Sequence, residues 1–318
     1  MTQLLTTDVR GIFPICPTPF FDNGEIDYAG LDRLVDWYAG CGVAGLVVLG
    51  VFGEAAKLSS EEGEKVLARV IARVGGRFLV VVGTGNLRLR DYAPLARSSM
   101  AAGAAGLMIA PTQGVRTDEE ITTDLKRIFA AIGPDVPVML QDYPPANDVF
   151  FSVPLVCRLI AEFPQIVVFK SEDNPGLGKL ARIRETCAKE GIRRISILSG
   201  RGALFAALAL MRGADGVASG FAYPEMLVGV YEAVARGDPN AACDLYDIFL
   251  PLICHELQPR IGVPVRKYIL HKRGLLTSPL ARPPAPAITE ADKAEVDFML
   301  ERTAAKCRKA GVLDDIFG

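Results

Sequence analysis

The chain has 318 residues, 50% hydrophobic and 23% charged, enough to bury a large core in one or two domains. Lysine plus arginine number 35 and aspartate plus glutamate 37, a formal net charge of −2; no strong field gathers phosphates, which argues against a nucleic-acid partner. No apolar run reaches the roughly 18 residues of a membrane span, so no membrane partner is expected.

Residues Met1–Arg10 are polar and lack the apolar stretch of a secretion signal, which predicts a cytoplasmic location. The cysteines Cys16, Cys41, Cys157, Cys187, Cys243, Cys254 and Cys307 form no CxxC pair, and most lie in apolar runs. They read as buried thiols of a reducing compartment. Only His255 and His271 are present, and no cluster of His, Cys and carboxylate has ligand spacing, so neither a metal nor another cofactor is expected. A histidine-based triad is equally poorly supplied: His255 follows Cys254, and adjacent helical side chains do not face each other.

In chain order, eight short apolar runs read as buried parallel strands: Gly11–Ile15, Gly45–Leu49, Phe78–Val82, Gly106–Ala110, Val136–Leu140, Ile166–Phe169, Ile195–Leu198 and Gly216–Ala218. Helical patterns lie between them. Leu31–Gly40 is apolar at Leu31, Leu34, Val35 and Tyr38, and Ser60–Val74 at Val66, Leu67, Val70 and Ile71. Pro94–Ala102 has a proline near its start, Thr117–Ala131 a capping threonine and an acidic first turn, and Pro154 opens Leu155–Ala161. Leu177–Lys189 and Ala203–Met211 follow. Gly40, Gly75, Gly103 and Gly213 close several of these helices.

Eight strand–helix alternations in about 220 residues suit a closed (β/α)8 barrel, a TIM barrel. An open doubly wound sheet would show GxGxxG after its first strand; here the first strand is followed by Cys16-Pro-Thr-Pro-Phe20. After Pro224 the rhythm turns helical, with Met226–Ala235, Asn240–Glu256 and Val263–Arg273, a proline-rich connection Pro279–Pro286, and a last helix over Thr289–Ala310. The expected division is a barrel over residues 1–224 and a helical extension over 225–318 packed on it.

Barrel chemistry sits at the C-terminal ends of the strands. Those ends are Gly50–Glu54, Gly83–Asn86, Pro111–Gln113, Gln141–Pro144, Lys170–Asp173, Gly200–Gly202 and Ser219–Phe221. Lys170 closes the run Ile166-Val-Val-Phe-Lys170, where its ammonium loses water. Desolvation lowers a lysine pKa, and the neutral amine attacks carbonyl carbon. A salt bridge to Glu172 or Glu54 that merely closes the barrel mouth is the competing reading. Tyr143, in Gln141-Asp-Tyr-Pro144, is placed to shuttle protons or to serve as an aromatic lid or subunit contact. Glu54 is placed as an ion-pair partner or as the carboxylate of a helix N-terminus.

With these pieces in hand, the chain resembles the dihydrodipicolinate synthase / N-acetylneuraminate lyase family of class I lyases. The resemblance runs from about Gly11 to Gly274. It rests on Pro17-Thr-Pro-Phe20, Gly50-x-x-Gly53-Glu54 with Leu58-Ser59, the strand-end Lys170, and Gly213-Ala-Asp-Gly216 with Pro224 after it. It implies a Schiff base between Lys170 and pyruvate or a pyruvate-derived 2-oxo acid, in a homotetramer or a dimer. Against the family's pattern, Val51 and Phe52 stand where two hydroxyl residues are usual, leaving backbone N–H groups around Val51–Gly53 to hold the substrate carboxylate. Gln141 stands at the tyrosine position of strand five, with Tyr143 two positions on. Thr112-Gln113 matches the stretch that offers a neighbouring subunit's tyrosine, and Ala146 matches an arginine for a second carboxylate. Losing such an ionic contact costs about 2–5 kcal/mol in binding. An aldolase or dehydratase acting on a modified 2-oxo acid is therefore expected, with Arg201 and Ser219 as further pocket groups. The alternatives are 4-hydroxy-tetrahydrodipicolinate synthase proper, with weak activity expected, or a silent barrel that binds a small 2-oxo acid.

Overall fold

The computed structural model describes residues 3–85 and 88–317. Its first half alternates β1 (Gly11–Pro14), α1 (Tyr28–Gly40), β2 (Gly45–Val48), α2 (Ser60–Val74), β3 (Leu79–Gly83), α3 (Leu89–Ala102), β4 (Gly106–Ile109) and α4 (Asp118–Ile132). Then come β5 (Val138–Asp142), α5 (Pro144–Asn147), α6 (Val153–Glu162), β6 (Ile166–Ser171), α7 (Gly176–Glu190), β7 (Ser196–Ser199), α8 (Ala206–Met211) and β8 (Gly216–Ser219). The chain ends in α9 (Pro224–Ala235), α10 (Pro239–Glu256), α11 (Gly262–Lys272) and α12 (Glu290–Ala310).

The strands are parallel in the order β1-β8-β7-β6-β5-β4-β3-β2. The ring closes between β1 and β2, where Ile15 bridges Val47 and the Cys16 N–H donates to Val47 O at 2.8 Å. The expected (β/α)8 barrel with a helical extension is therefore the observed fold. At the β1–β8 seam Gly11 faces Gly216, and a Cβ on Gly216 would lie 1.9 Å from Gly11 O, so only glycine permits this strand approach. The strands are buried on both faces, which is why they read as continuous apolar runs rather than alternating ones.

Among the boundaries that differ from expectation are those of β5 and α3. β5 starts at Val138 because Pro137 has no N–H to give the ladder. It then runs on through polar Gln141 and Asp142, paired with Lys170 and Ser171 of β6. The hydrophobic runs stop short of these residues, but their backbone groups still find partners. α3 begins at Leu89, five residues before Pro94, which lies inside the helix. The ring costs that turn one hydrogen bond, yet Tyr92 and Ala96 still bury the helix against the barrel.

Helix starts are fixed by local chemistry. Ser59 with Glu62 caps α2, Thr117 with Glu120 caps α4, and Thr289 with Asp292 caps α12, each in a reciprocal capping box. Cys16, Cys157, Cys187 and Cys307 are buried, Cys41 and Cys243 half-buried, and Cys254 exposed. No described helix is long and apolar enough to cross a membrane.

The C-terminal helices are fastened to the barrel mouth. α9 packs on β1, and α10 on α9, α11 and α12. Lys267 of α11 donates to Thr18 O and Leu280 O, both at 2.8 Å, and makes a close ion pair with Glu54. Arg282 bridges Glu62, Lys57 O and Gly24 O. The long segment beyond the barrel thus reaches the loops that end β1 and β2.

Candidate active site

Lys170 and Gln141 are register partners on β6 and β5, so their side chains project on the same side. That side is the barrel interior: Lys170 Nζ lies 3.8 Å from the sulfur of Met108, which stands on β4, one strand beyond β5. Lys170 is only 3% exposed. Its ion-pair partner is Glu172, with Nζ to Oε2 at 3.2 Å; Glu54 is not among its partners.

Glu172 organises the mouth. Its Oε2 also accepts from Gln141 Nε2 at 2.6 Å, and its Oε1 accepts from the Arg201 N–H at 2.9 Å. Room for it exists because residue 200 is glycine: a Cβ there would stand 2.4 Å from Glu172 Cγ. The ladder continues past the strands, with Glu172 N bonded to Asp142 O and Gly200 N to Ser171 O. This holds the ends of β5, β6 and β7 level. Behind the wall, Lys179 of α7 ties Asp142 (2.6 Å) to Asp173 (3.1 Å). Burial pushes the Asp142 carboxyl up to about 7 against the pull of Lys179.

Tyr143 caps α5 just past β5. Burial raises its phenol, and the Glu172 charge raises it further, while Arg266 and Arg201 pull it down. Tyr143, Glu172, Arg201 and Arg266 are therefore electrostatic neighbours at one end of the barrel. Arg201 has a left-handed backbone, with φ 48°, that starts the short turn after β7. Ser219, buried at the end of β8, accepts from the Phe221 N–H at 3.1 Å.

Other expected groups are placed elsewhere. Glu54 is sequestered by Lys267, by Lys57 at 2.7 Å and by the Arg282 N–H at 2.9 Å, so its carboxylate anchors the extension. Thr112 gives both its N–H and its hydroxyl to Asp124 of α4 and lies exposed. The Val51 side chain is 62% exposed, whereas Phe52 is buried. The N–H groups of Val51, Phe52 and Gly53 donate to no acceptor among the described residues. Asn86 lies outside the described residues.

Two groups were not singled out from sequence. Met108 is an ordinary apolar strand residue there. Arg266 lies in a helix far along the chain, and nothing in its neighbours signals a barrel mouth. Its Nε donates to Glu256 Oε2 at 2.7 Å, and its guanidinium carbon lies 5.4 Å from the centre of the Phe52 ring. Glu256 is fully buried, which pushes its carboxyl up to about 7 despite Arg266. Among the described residues no group of three or more His, Cys, Asp or Glu is placed to hold a metal ion.

Comparison with known proteins identifies the family. The model of the dihydrodipicolinate synthetase family matches residues 8–303. A crystal structure of dihydrodipicolinate synthase from Rhodopseudomonas palustris is 43% identical, covers 95% of this chain and 100% of its own, and superposes with a TM-score of 0.92. L-2-keto-3-deoxyarabonate dehydratase of Azospirillum brasilense is 30% identical over 93% of this chain and 95% of its own length. A prophage protein of E. coli K12 from the dihydrodipicolinic acid synthase family, solved in complex with pyruvate, is 25% identical, covers 92% of this chain and 98% of its own, with a TM-score of 0.83.

Proposed function

The chain belongs to the dihydrodipicolinate synthetase family, and from that premise we propose that Lys170 is the amine that forms its Schiff base. As a class I lyase it acts on pyruvate-type 2-oxo acids. The observation that carries the assignment is a lysine almost without solvent exposure at the C-terminal end of β6, with a single carboxylate, Glu172, 3.2 Å from Nζ.

The chemistry follows from those positions. Lys170 Nζ adds to the C2 carbonyl, and Glu172 is within reach to take the proton that the amine sheds. The C2 oxygen takes that proton back from Glu172 and a second one from solvent and leaves as water, the protonated imine remains, and the bond beside the former carbonyl breaks or forms with its electron pair drawn toward nitrogen. Gln141 and the Arg201 N–H hold Glu172 in place throughout. The open N–H groups of Val51, Phe52 and Gly53 receive the substrate carboxylate, and Ser219 lines the β8 side. Tyr143 moves the proton at the bond being broken. Tyr143→Phe should therefore lower turnover by roughly 10²- to 10⁴-fold with little change in imine yield. Equal turnover in the two proteins would leave the phenol a packing group.

Reduction with borohydride in the presence of pyruvate, followed by peptide mapping, tests the assignment. One adduct per chain on Lys170 is expected; an adduct on Lys57 or Lys267 instead, or none across a panel of 2-oxo acids, would refute it.

The reaction we favour is dehydration or aldol cleavage of a hydroxylated 2-oxo acid. Phe52, Gln141 and Ala146 place neither relay hydroxyls nor an arginine where condensation with an anionic aldehyde would use them. The Azospirillum brasilense relative, a 2-keto-3-deoxy acid dehydratase by name, lies in the same reaction class. The 43% identity to the Rhodopseudomonas palustris protein favours a second reading, the synthase itself. A robust steady-state rate with pyruvate and aspartate semialdehyde would decide for that one. We assign the protein to the cytoplasm, on the buried thiols, and to a homotetramer or dimer, on family membership. Sedimentation of a stable monomer, or export of the chain from cells, would overturn these two assignments.

A further inference from the structure

Lys170, Arg201 and Arg266 share the mouth of the barrel with Glu172 and Glu256. Arg266 is the group with capacity to spare. Its side chain is 13% exposed, and Nε is held by Glu256 Oε2, with Nη2 3.5 Å from Glu256 O. Nη1 donates to no acceptor among the described residues. A guanidinium half-withdrawn from water with an unspent N–H edge is costly unless that edge meets an anion.

Its position says which anion. The guanidinium carbon lies 5.4 Å from the centre of the Phe52 ring, in the same loop whose backbone N–H groups have no acceptor among the described residues. Gly220, past β8, leaves the space: a Cβ there would stand 2.8 Å from the Phe52 ring and 3.2 Å from Arg266 Nη1. Gly202, past β7, does the same beside Nη2, again at 3.2 Å. Phe52 thus turns away over Gly220 and forms a platform for the arginine. Across the mouth, the charge of Arg266 reaches Tyr143.

We propose that Arg266, delivered by the C-terminal extension, pairs with the carboxylate adjacent to the substrate's carbonyl, supplying from α11 the recognition that Val51 and Phe52 side chains cannot. The inference rests on Lys170 imine formation at this site, and it makes the extension part of the 2-oxo acid site rather than a cover for it. Arg201 is the less suitable cation, because its backbone N–H is spent on Glu172 and its Nη1 lies 3.4 Å from Glu172 O.

Pyruvate binding measured by calorimetry, beside borohydride trapping, separates this inference from the Lys170 assignment. Arg266→Met should weaken pyruvate about 100-fold, whereas trapping of methyl pyruvate, which lacks the negative charge, should be unchanged. Because Arg266→Met leaves Glu256 buried and unpaired, the double variant Glu256→Gln/Arg266→Met is measured with it, and the same selective loss is expected. Arg266→Lys should recover part of the pyruvate affinity. Parallel loss for acid and ester would make Arg266 a structural residue, and an unchanged pyruvate affinity would remove it from the site. Pyruvate that binds wild type without being trapped would overturn the Lys170 assignment and leave the Arg266 shift to be read by calorimetry. No binding of pyruvate to the wild type would overturn both.

Discussion

Replacing Lys170 by alanine should reduce turnover on the order of 10⁴- to 10⁶-fold, the scale seen when a covalent nucleophile is removed. Without the ε-amine no imine forms, and the bond beside the carbonyl loses its electron sink. Lys170→Arg sharpens the test: it keeps a cation within reach of Glu172, but a guanidinium does not form the imine, so the loss should be as deep as for alanine. If Lys170 only closed the barrel mouth by pairing with Glu172, arginine would restore most of the activity and alanine would chiefly lower stability. Glu172 keeps its bonds from Gln141 Nε2 and the Arg201 N–H in either variant, so the mouth should retain its shape. Steady-state kinetics beside thermal melting distinguishes the two outcomes. A Lys170→Arg enzyme within tenfold of wild type would end the imine reading.

Much of this arrangement was legible in the chain, for identifiable reasons. The eight parallel strands are covered on both faces, so they appear as short apolar runs, many with glycine or proline beside them. Lys170 is conspicuous because a charge at the end of such a run is costly unless it is paired. Glu172 was legible as a candidate partner from its spacing, two residues on. What could not be read is the part that depends on distant pieces meeting. Glu54 looks like a mouth carboxylate from its place after β2, but Lys267 arrives from 213 residues downstream and claims it. Thr112 looks available at the end of β4 until Asp124 of α4 takes its hydroxyl. Arg266 has no local signal, since its meaning depends on Gly220 leaving space for Phe52 to turn under it. Periodicity reports which face is buried; it does not report which polar atoms converge from separate elements.

Lys267→Met is the substitution expected to cost most stability, about 3–5 kcal/mol, the usual cost of stranding one member of a buried ion pair. Lys267 has no exposed surface, and its ammonium meets Glu54, Thr18 O, Leu280 O and the face of Phe20 at 4.2 Å. Methionine matches the stem in length and fills the space, so cavity formation contributes little. The loss arises instead from polar groups: Glu54 keeps only Lys57 and the Arg282 N–H, and two carbonyls lose their donor. The double variant Glu54→Gln/Lys267→Met should recover a large part of the loss, because it removes the stranded charge rather than the pair's attraction. Denaturant midpoints at constant slope read both effects. The same pair holds the end of the Gly50–Gly53 turn, so the single variant should also weaken pyruvate binding while leaving the Lys170 adduct obtainable at saturating pyruvate. A Lys267→Met protein within about 1 kcal/mol of wild type would mean that Lys57 and Arg282 alone satisfy Glu54, and that the α11 contact is dispensable to the mouth.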